Sequence, residues 1–390
     1  MVGPCGSRSL AGLVVILSAV TVAACAGPRR PPVGSQRVVR FVLDDPRRDS
    51  FAADATYRAG LVGVSWLADS ASADATASRF ATTAAAIAVI VPWRTLHHEL
   101  GHYRVAEQLG GDPELHWSGW NDAQVNPTLP PQVSLTAADR REFAGAGIVQ
   151  SGLAANSLYR DWATRGALHH TEAIGFLSAA LDLPIYAAKT LVQDLHHRTD
   201  PGPNDVVAYT RTTGSRVDEQ ELLWLSAGSV LASAPAWAAL FGQLSYMRTG
   251  QRKVALPTMH FGGYEWALPF ATVLPARHGP IVAVRTVIGT ERTSPFEVGV
   301  AWRWQGSTTS VQCRLCDLPL GAGFVVSPAL RVTASGSRFD GIATDIDLEW
   351  RCSPRWRLGG SAFWRNDDLL SEAEGYGDGV GARLWVGATF

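Results

Sequence analysis

Two hydrophobic periodicities divide the chain. From about residue 75 to 247 apolar residues recur at helical spacing, and from about 256 to 390 they alternate with polar or small residues, as in strands. In the first region, residues 80–91 read as an Ala-rich helix that stops at Pro92. It leads into a further helical stretch, and residues 84–109 as a whole carry helical spacing. A second helix starts at Ala137-Ala138-Asp139 and runs through Phe143 to Trp162. A third covers 172–196 with a break near Pro184, and a fourth covers 219–247 with Pro235 inside it. Residues 222–247 contain no charged side chain and are long enough to span a bilayer, although Gln243, Pro235 and several Ser also suit a packed core helix.

The strand region is specific about its faces. Along 342–350, Ile342, Ile346, Leu348 and Trp350 share one face, and Asp345, Asp347 and Glu349 the other. A turn at Cys352-Ser353-Pro354 returns the chain as 355–365. With Arg351 opposite Arg355, Glu349 would face Arg357. In the last strand the residues at 380, 382, 384, 386 and 388 are all apolar and lead to Phe390. That ending resembles the terminal strand of bacterial outer-membrane β-barrels. About eight strands fit between 256 and 390, enough to close a small barrel; a soluble antiparallel sandwich has the same alternation. The fold class expected is therefore α+β, with a helical domain at 75–250 followed by an antiparallel β-domain at 256–390. Residues 37–74 form a mixed segment with a short strand at 38–43.

Composition adds location. The chain has 390 residues with 34 basic and 35 acidic side chains, which excludes a global electrostatic footprint for nucleic acid. Only 18% of residues are charged and 14 are Trp, a balance suited to contact with a membrane. Arg8 and the apolar run 10–22 read as an export signal. The run ends in Val22-Ala23-Ala24-Cys25, which resembles the lipobox of bacterial lipoproteins. That resemblance implies lipidation at Cys25 and, with Ala26 following, an outer-membrane destination. Residues 26–36 then form a Pro- and Arg-rich tether. Of the remaining cysteines, Cys313, Cys316 and Cys352, two are expected to form a disulfide in an oxidising compartment.

The candidate chemistry lies at His98-Glu99-Leu100-Gly101-His102. On a helix, residues four apart share a face, so His98 and His102 can converge on one metal ion. Zinc suits two neutral imidazoles, and Glu99, on the adjacent edge, would be the general base for a water that the metal acidifies. A catalytic zinc usually has a third protein ligand. Two clusters supply candidates: Glu172, beside His169 and His170, and the run 194–205. In the second, Asp205 and His197 are preferred and Asp200 is a further candidate. The wider text, Leu96-His-His-Glu-Leu-Gly-His-Tyr-Arg-Val-Ala-Glu-Gln-Leu-Gly110, resembles the active-site helix of site-2-protease-type metallopeptidases. By that resemblance His98 and His102 bind zinc and Glu99 is the base. The family's third ligand is an Asp in a Leu-Asp-Gly context. This chain has none, and Leu181-Asp182-Leu183-Pro184 is the nearest fragment, which adds Asp182 to the candidates. The Gly/Ala-rich run 144–156 suits close helix packing.

These observations predict a zinc-dependent metallopeptidase of the cell envelope. It would be exported, lipid-anchored at the outer membrane with its metal domain in the periplasm, and would act on a peptide or envelope protein. Two other functions fit the same text. One is a non-enzymatic outer-membrane barrel or lipoprotein with a structural or relic metal site. The other is an intramembrane protease whose spans are 80–91, 174–191 and 222–247.

Overall fold

The computed structural model describes residues 38–45, 47, 49–71, 74–193, 204–290, 293–366, 369–370 and 379–389. The expected signal with Cys25, the tether 26–36, His197, Asp200 and Phe390 lie outside the described residues.

After strand β1 (Val38–Val42) come helices α1 (Ser50–Ser70) and α2 (Thr76–Gln108), then a hairpin of β2 (Asp112–Gly119) and β3 (Asp122–Thr128). Helix α3 (Ala137–Arg165) and a short β4 (Ala167–His169) lead to α4 (His170–Ala180), α5 (Asp182–Val192), α6 (Asp205–Arg211), α7 (Glu219–Ala232) and α8 (Ala234–Thr249). The rest is strand: β5 (Lys253–Ala255), β6 (Thr258–Phe261), β7 (Tyr264–Ala267), β8 (Phe270–Ala276), β9 (Gly279–Thr290), β10 (Thr293–Arg303), β11 (Thr308–Leu315), β12 (Leu318–Gly321), β13 (Phe324–Ser335), β14 (Arg338–Trp350), β15 (Trp356–Asn366) and β16 (Gly379–Thr389). The chain is α+β, helical first and antiparallel afterwards, as the periodicities predict.

Local chemistry explains the helix ends. Asp49 accepts from the Phe51 and Ala52 amides to start α1, and Thr136 and Asp139 form a reciprocal capping box at α3. Gly166, left-handed with φ 76°, ends α3. Pro92 does not stop the helix there: α2 runs through it from Thr76 to Gln108. Proline removes the hydrogen bond that the Ala88 carbonyl would otherwise receive, and the Trp120 indole N–H supplies it instead at 2.9 Å. The other two prolines sit at bends. α4 and α5 meet at 49° with Pro184 in the first turn of α5, and α7 and α8 meet at 66° with Pro235 in the first turn of α8. Among the described residues no single helix is long and apolar enough to cross a membrane; these two bent pairs reach that length and composition only when taken together.

The strands form one 12-stranded antiparallel sheet, ordered β1-β16-β15-β14-β13-β11-β10-β9-β7-β6, with β12 added to β13 and β8 to β9. β1, from before the helices, pairs with β16 from Val38↔Thr389 to Val42↔Trp385, so the two halves of the chain interlock. The sheet is larger than the eight strands expected, and among the described residues β1 and β6 stand at its two ends rather than pairing to close a barrel. The β14–β15 register also differs from expectation by two residues, with Glu349 opposite Gly359. A two-residue shift keeps the same faces. Arg357 therefore still reaches Glu349, now diagonally, at 2.8 Å. Cys313, Cys316 and Cys352 are all free thiols, so the expected disulfide is not formed.

The two faces of the sheet are inverted relative to a water-soluble sheet. Toward the helices it presents charge: Glu297, Arg331, Arg365, Arg383 and Glu349 are buried. Away from them it presents Ile346, Leu348, Trp350, Leu358, Trp364 and Leu384, all exposed. On β16 the contrast is sharp, with Leu384 65% exposed and Arg383 8%. Helix α3 joins the two layers, packing on α2, α4 and α6 on one side and on β8 on the other.

Candidate metal centre

His98 and His102 lie in the buried C-terminal half of α2, one turn apart, with Nε2 atoms 3.2 Å from each other. Close helix packing makes this possible. A Cβ on Gly101 would overlap the Ala146 carbonyl of α3, and a Cβ on Gly147 would overlap both imidazoles. The Gly/Ala-rich run thus lets α3 lie directly against the face of α2 that carries His98 and His102. Asp205, the first residue of α6, completes a triangle. Its Oδ2 is 2.8 Å from His98 Nε2 and 3.2 Å from His102 Nε2. Asn204 caps α6 by accepting from the Val207 amide at 3.0 Å, and its Oδ1 also accepts from the Thr190 hydroxyl, which ties this turn to α5.

The outer hydrogen bonds decide which ring atoms face inward. His102 Nδ1 lies 2.8 Å from the Phe143 carbonyl, which can only accept, so Nδ1 carries a proton and the neutral ring turns its Nε2 lone pair inward. His98 Nδ1 lies 2.8 Å from Asp182, whose carboxylate is also paired with Arg94. Two imidazole lone pairs and a carboxylate oxygen thus point at one place. With neutral rings that arrangement repels itself unless a cation, either a shared proton or a metal ion, sits among them. Ligand atoms placed tetrahedrally at about 2.0–2.1 Å from a zinc-sized ion lie about 3.3 Å apart, close to the spacings found. Electrostatics agree. Burial disfavours a charged His98, yet Asp182 and Asp205 push it up to about 10. Burial alone would raise Asp205, but His102 and His98 hold it well below the usual carboxylate range. The site's field favours a positive charge.

Glu99 lies on the neighbouring edge, buried, with a carboxylate oxygen within 4.8 Å of the imidazole nitrogens. Its Oε2 accepts from the Val125 amide of β3 at 3.1 Å. Burial outweighs the two imidazoles and raises its pKa. His98, Glu99 and His102 thus form a buried group able to hold a metal ion. Asp205 contacts both imidazoles directly, whereas Glu99 stands beside them and is held by the Val125 amide. Tyr186 of α5 stacks on His98, with centroids 5.3 Å apart and planes 7° from parallel, and fixes the ring plane.

Of the candidates for the third ligand, the structure brings Asp205 to the site and gives two others different work. Asp182 stands behind His98 and orients it, a role the sequence did not suggest. Glu172 is remote from the group: it accepts from the His169 amide at the start of α4 and pairs with Arg165. His169 and His170 pack there as well, against Asp69 and the Tyr246 ring. The β2–β3 hairpin that holds Glu99 was not foreseen; Gly119-Trp120-Asn121-Asp122 around its turn was the available signal. Tyr186 and the Phe143 carbonyl carry no signal in the sequence, because helix packing alone brings them to the rings.

In comparisons with family models, curated proteins and solved structures, none matches this chain.

Proposed function

We propose that the protein is a zinc-dependent metallopeptidase, with His98, His102 and Asp205 as ligands and Glu99 as general base. The observation that carries this is the triangle of Nε2, Nε2 and Oδ2 atoms with their outer hydrogen bonds satisfied and a buried carboxylate beside them. A zinc ion held there would polarise a peptide carbonyl and acidify a water. Glu99 takes the proton from the attacking water and delivers it to the leaving amine, a task that suits a carboxylate whose pKa burial has raised. Asp182 and the Phe143 carbonyl keep both imidazoles in the tautomer that leaves Nε2 free. The HELGH resemblance supports the same assignment.

The inverted sheet supports a membrane location. A face bearing Leu348, Trp350, Leu358, Trp364 and Leu384 toward the outside, with arginines and carboxylates behind it, fits lipid better than water. We read this face, together with the exposed Trp224, Trp237 and Phe241 of α7 and α8, as lipid-facing. A barrel closed by further pairing, the Cys25 anchor and the outer-membrane destination are parts of the same proposal.

The test is to purify the full chain, measure bound zinc by mass spectrometry, and compare digestion of an unfolded protein substrate by the parent and Glu99→Gln. One zinc per chain in both, with cleavage only by the parent, is expected. Absence of bound zinc after growth in zinc-supplemented medium would refute the reading, and zinc without cleavage in either would leave the non-enzymatic metal site as the better account.

A further inference from the structure

Between the charged face of the sheet and helices α1 and α3 lies a chamber of about 590 Å³, within the size range of small-molecule sites. It shares α3 with the metal centre but is lined by a later stretch, from Leu153 onward, and by none of the metal-binding residues. Eleven arginines line it against six acids, in a chain whose net charge is −1. Glu297, Glu172 and Asp49 pair with lining arginines from behind the wall, and with these included the cations still outnumber the carboxylates among the described residues.

The pairing is shared rather than one to one. Glu349 serves Arg40, Arg351 and Arg357; Asp345 serves Arg331 and Arg365; Glu297 serves Arg160 and Arg285. Burial also pushes the Asp54 carboxyl up, against the pull of Arg58, which weakens its countercharge. An excess of guanidinium groups in a partly buried cavity is costly unless an anion joins it. A second observation points the same way. Asn156, 3% exposed, lines the chamber with neither atom of its amide hydrogen-bonded among the described residues, and the buried Ser361 hydroxyl is in the same position. A packed structural core would have used an apolar residue at 156. A donor and acceptor held ready beside arginine forks suit an oxygen-rich anion.

We propose that this chamber is a binding site for a phosphate-bearing ligand, gripped by Arg40, Arg357 and neighbouring arginines and oriented by Asn156 and Ser361. Arginine forks match phosphate oxygens in pairs, and the wall is too polar for an acyl chain. The phosphate can come from a free phosphate ester or from a lipid headgroup reaching in.

The experiment titrates the purified full chain with inorganic pyrophosphate by calorimetry at low salt and repeats it in the presence of vesicles containing phosphatidic acid. Saturable binding is expected, with at least a tenfold loss in Arg357→Gln and a gain in Glu349→Gln, because the latter removes competing negative charge. Asn156→Leu separates ligand binding from folding. It should raise the melting temperature, since an orphan amide is replaced by an apolar group, yet weaken pyrophosphate several-fold. Competition by the vesicles identifies the headgroup source, and its absence the free ester; each supports the site. No binding by the folded parent, or binding that all three variants leave unchanged, overturns it.

Discussion

Gly147→Ala isolates the geometry on which the metal centre rests. A Cβ at 147 would overlap the His98 ring and lie 2.6 Å from His102 Nε2, closer than real Cβ atoms approach such a neighbour. Helix α3 cannot simply retreat. The Phe143 carbonyl, one turn earlier, is bonded to His102 Nδ1, and Gly101 holds α2 against Ala146. The strain therefore goes into rotating the imidazoles or spreading the two helices. Overpacking of this kind costs about 1–3 kcal/mol. Expressed in metal binding, at about 1.4 kcal/mol per tenfold, it corresponds to roughly 5- to 150-fold weaker zinc affinity. Gly152→Ala is the control, since its Cβ would meet the Leu274 side chain, away from the metal, at 2.5 Å. It should lower the melting temperature and leave zinc affinity alone. The assay is competition against a chromophoric chelator, paired with melting curves in the presence of a chelator. Gly147→Ala binding zinc within twofold of the parent, with an unchanged melting temperature, would show that the imidazoles do not rest on that glycine.

Asp182→Asn removes the charge that orients His98 and leaves Arg94 without its ion pair; a 10- to 100-fold loss of zinc affinity is expected in the same competition assay. Trp120→Phe keeps an aromatic ring but leaves the Ala88 carbonyl without the donor that replaces Pro92, so thermal unfolding should show a loss of about 1 kcal/mol. Glu297→Gln removes the buried carboxylate that Arg160 and Arg285 share and should cost about 3–5 kcal/mol in denaturant unfolding, whereas Glu297→Gln combined with Arg160→Met should recover part of that loss.

Periodicity made the order of helices and strands legible, and the capped start of α3 could be read from Thr136 and Asp139 alone. What could not be read is whatever depends on partners distant in sequence. Pro92 reads as a stop because the donor that rescues the helix, Trp120, lies 28 residues further on. The β14–β15 register was two residues off because charge complementarity between Glu349 and Arg357 is satisfied by either pairing, and the turn decides between them. At the metal centre, spacing identified His98, Glu99 and His102, since a single helix carries all three. Asp205 could be named only as one of several candidates, because its approach depends on where α6 begins relative to α2. Asp182, named as a candidate ligand, lies behind His98 and contacts its Nδ1 rather than its Nε2. Alternation revealed two chemically distinct faces in the strands but not which one the helices would cover.

That last point changes how the two halves relate. Had the apolar face of the sheet turned inward, the helical half could have been a separate unit resting on an ordinary core. Instead the helices cover the charged face, and α3 is built to serve both sides. Gly145 meets the Pro275 carbonyl of β8, Gly147 meets the His98 and His102 imidazoles two residues later, and Arg160 further along binds Glu297 of β10. The β1–β16 pairing holds the sheet to the start of α1, where Arg383 pairs with Asp49, the cap of that helix. Gln150 links these contacts to the metal-bearing helix: it joins the Ser50 carbonyl of α1 to His97 and Arg104 on α2. Burial lowers the His97 pKa to about 3, keeping this ring neutral and packed, with no positive charge added beside His98. The helix that bounds the metal site is thus fixed from the sheet side at several points. The sheet is a structural wall of the helical half and not an appended module.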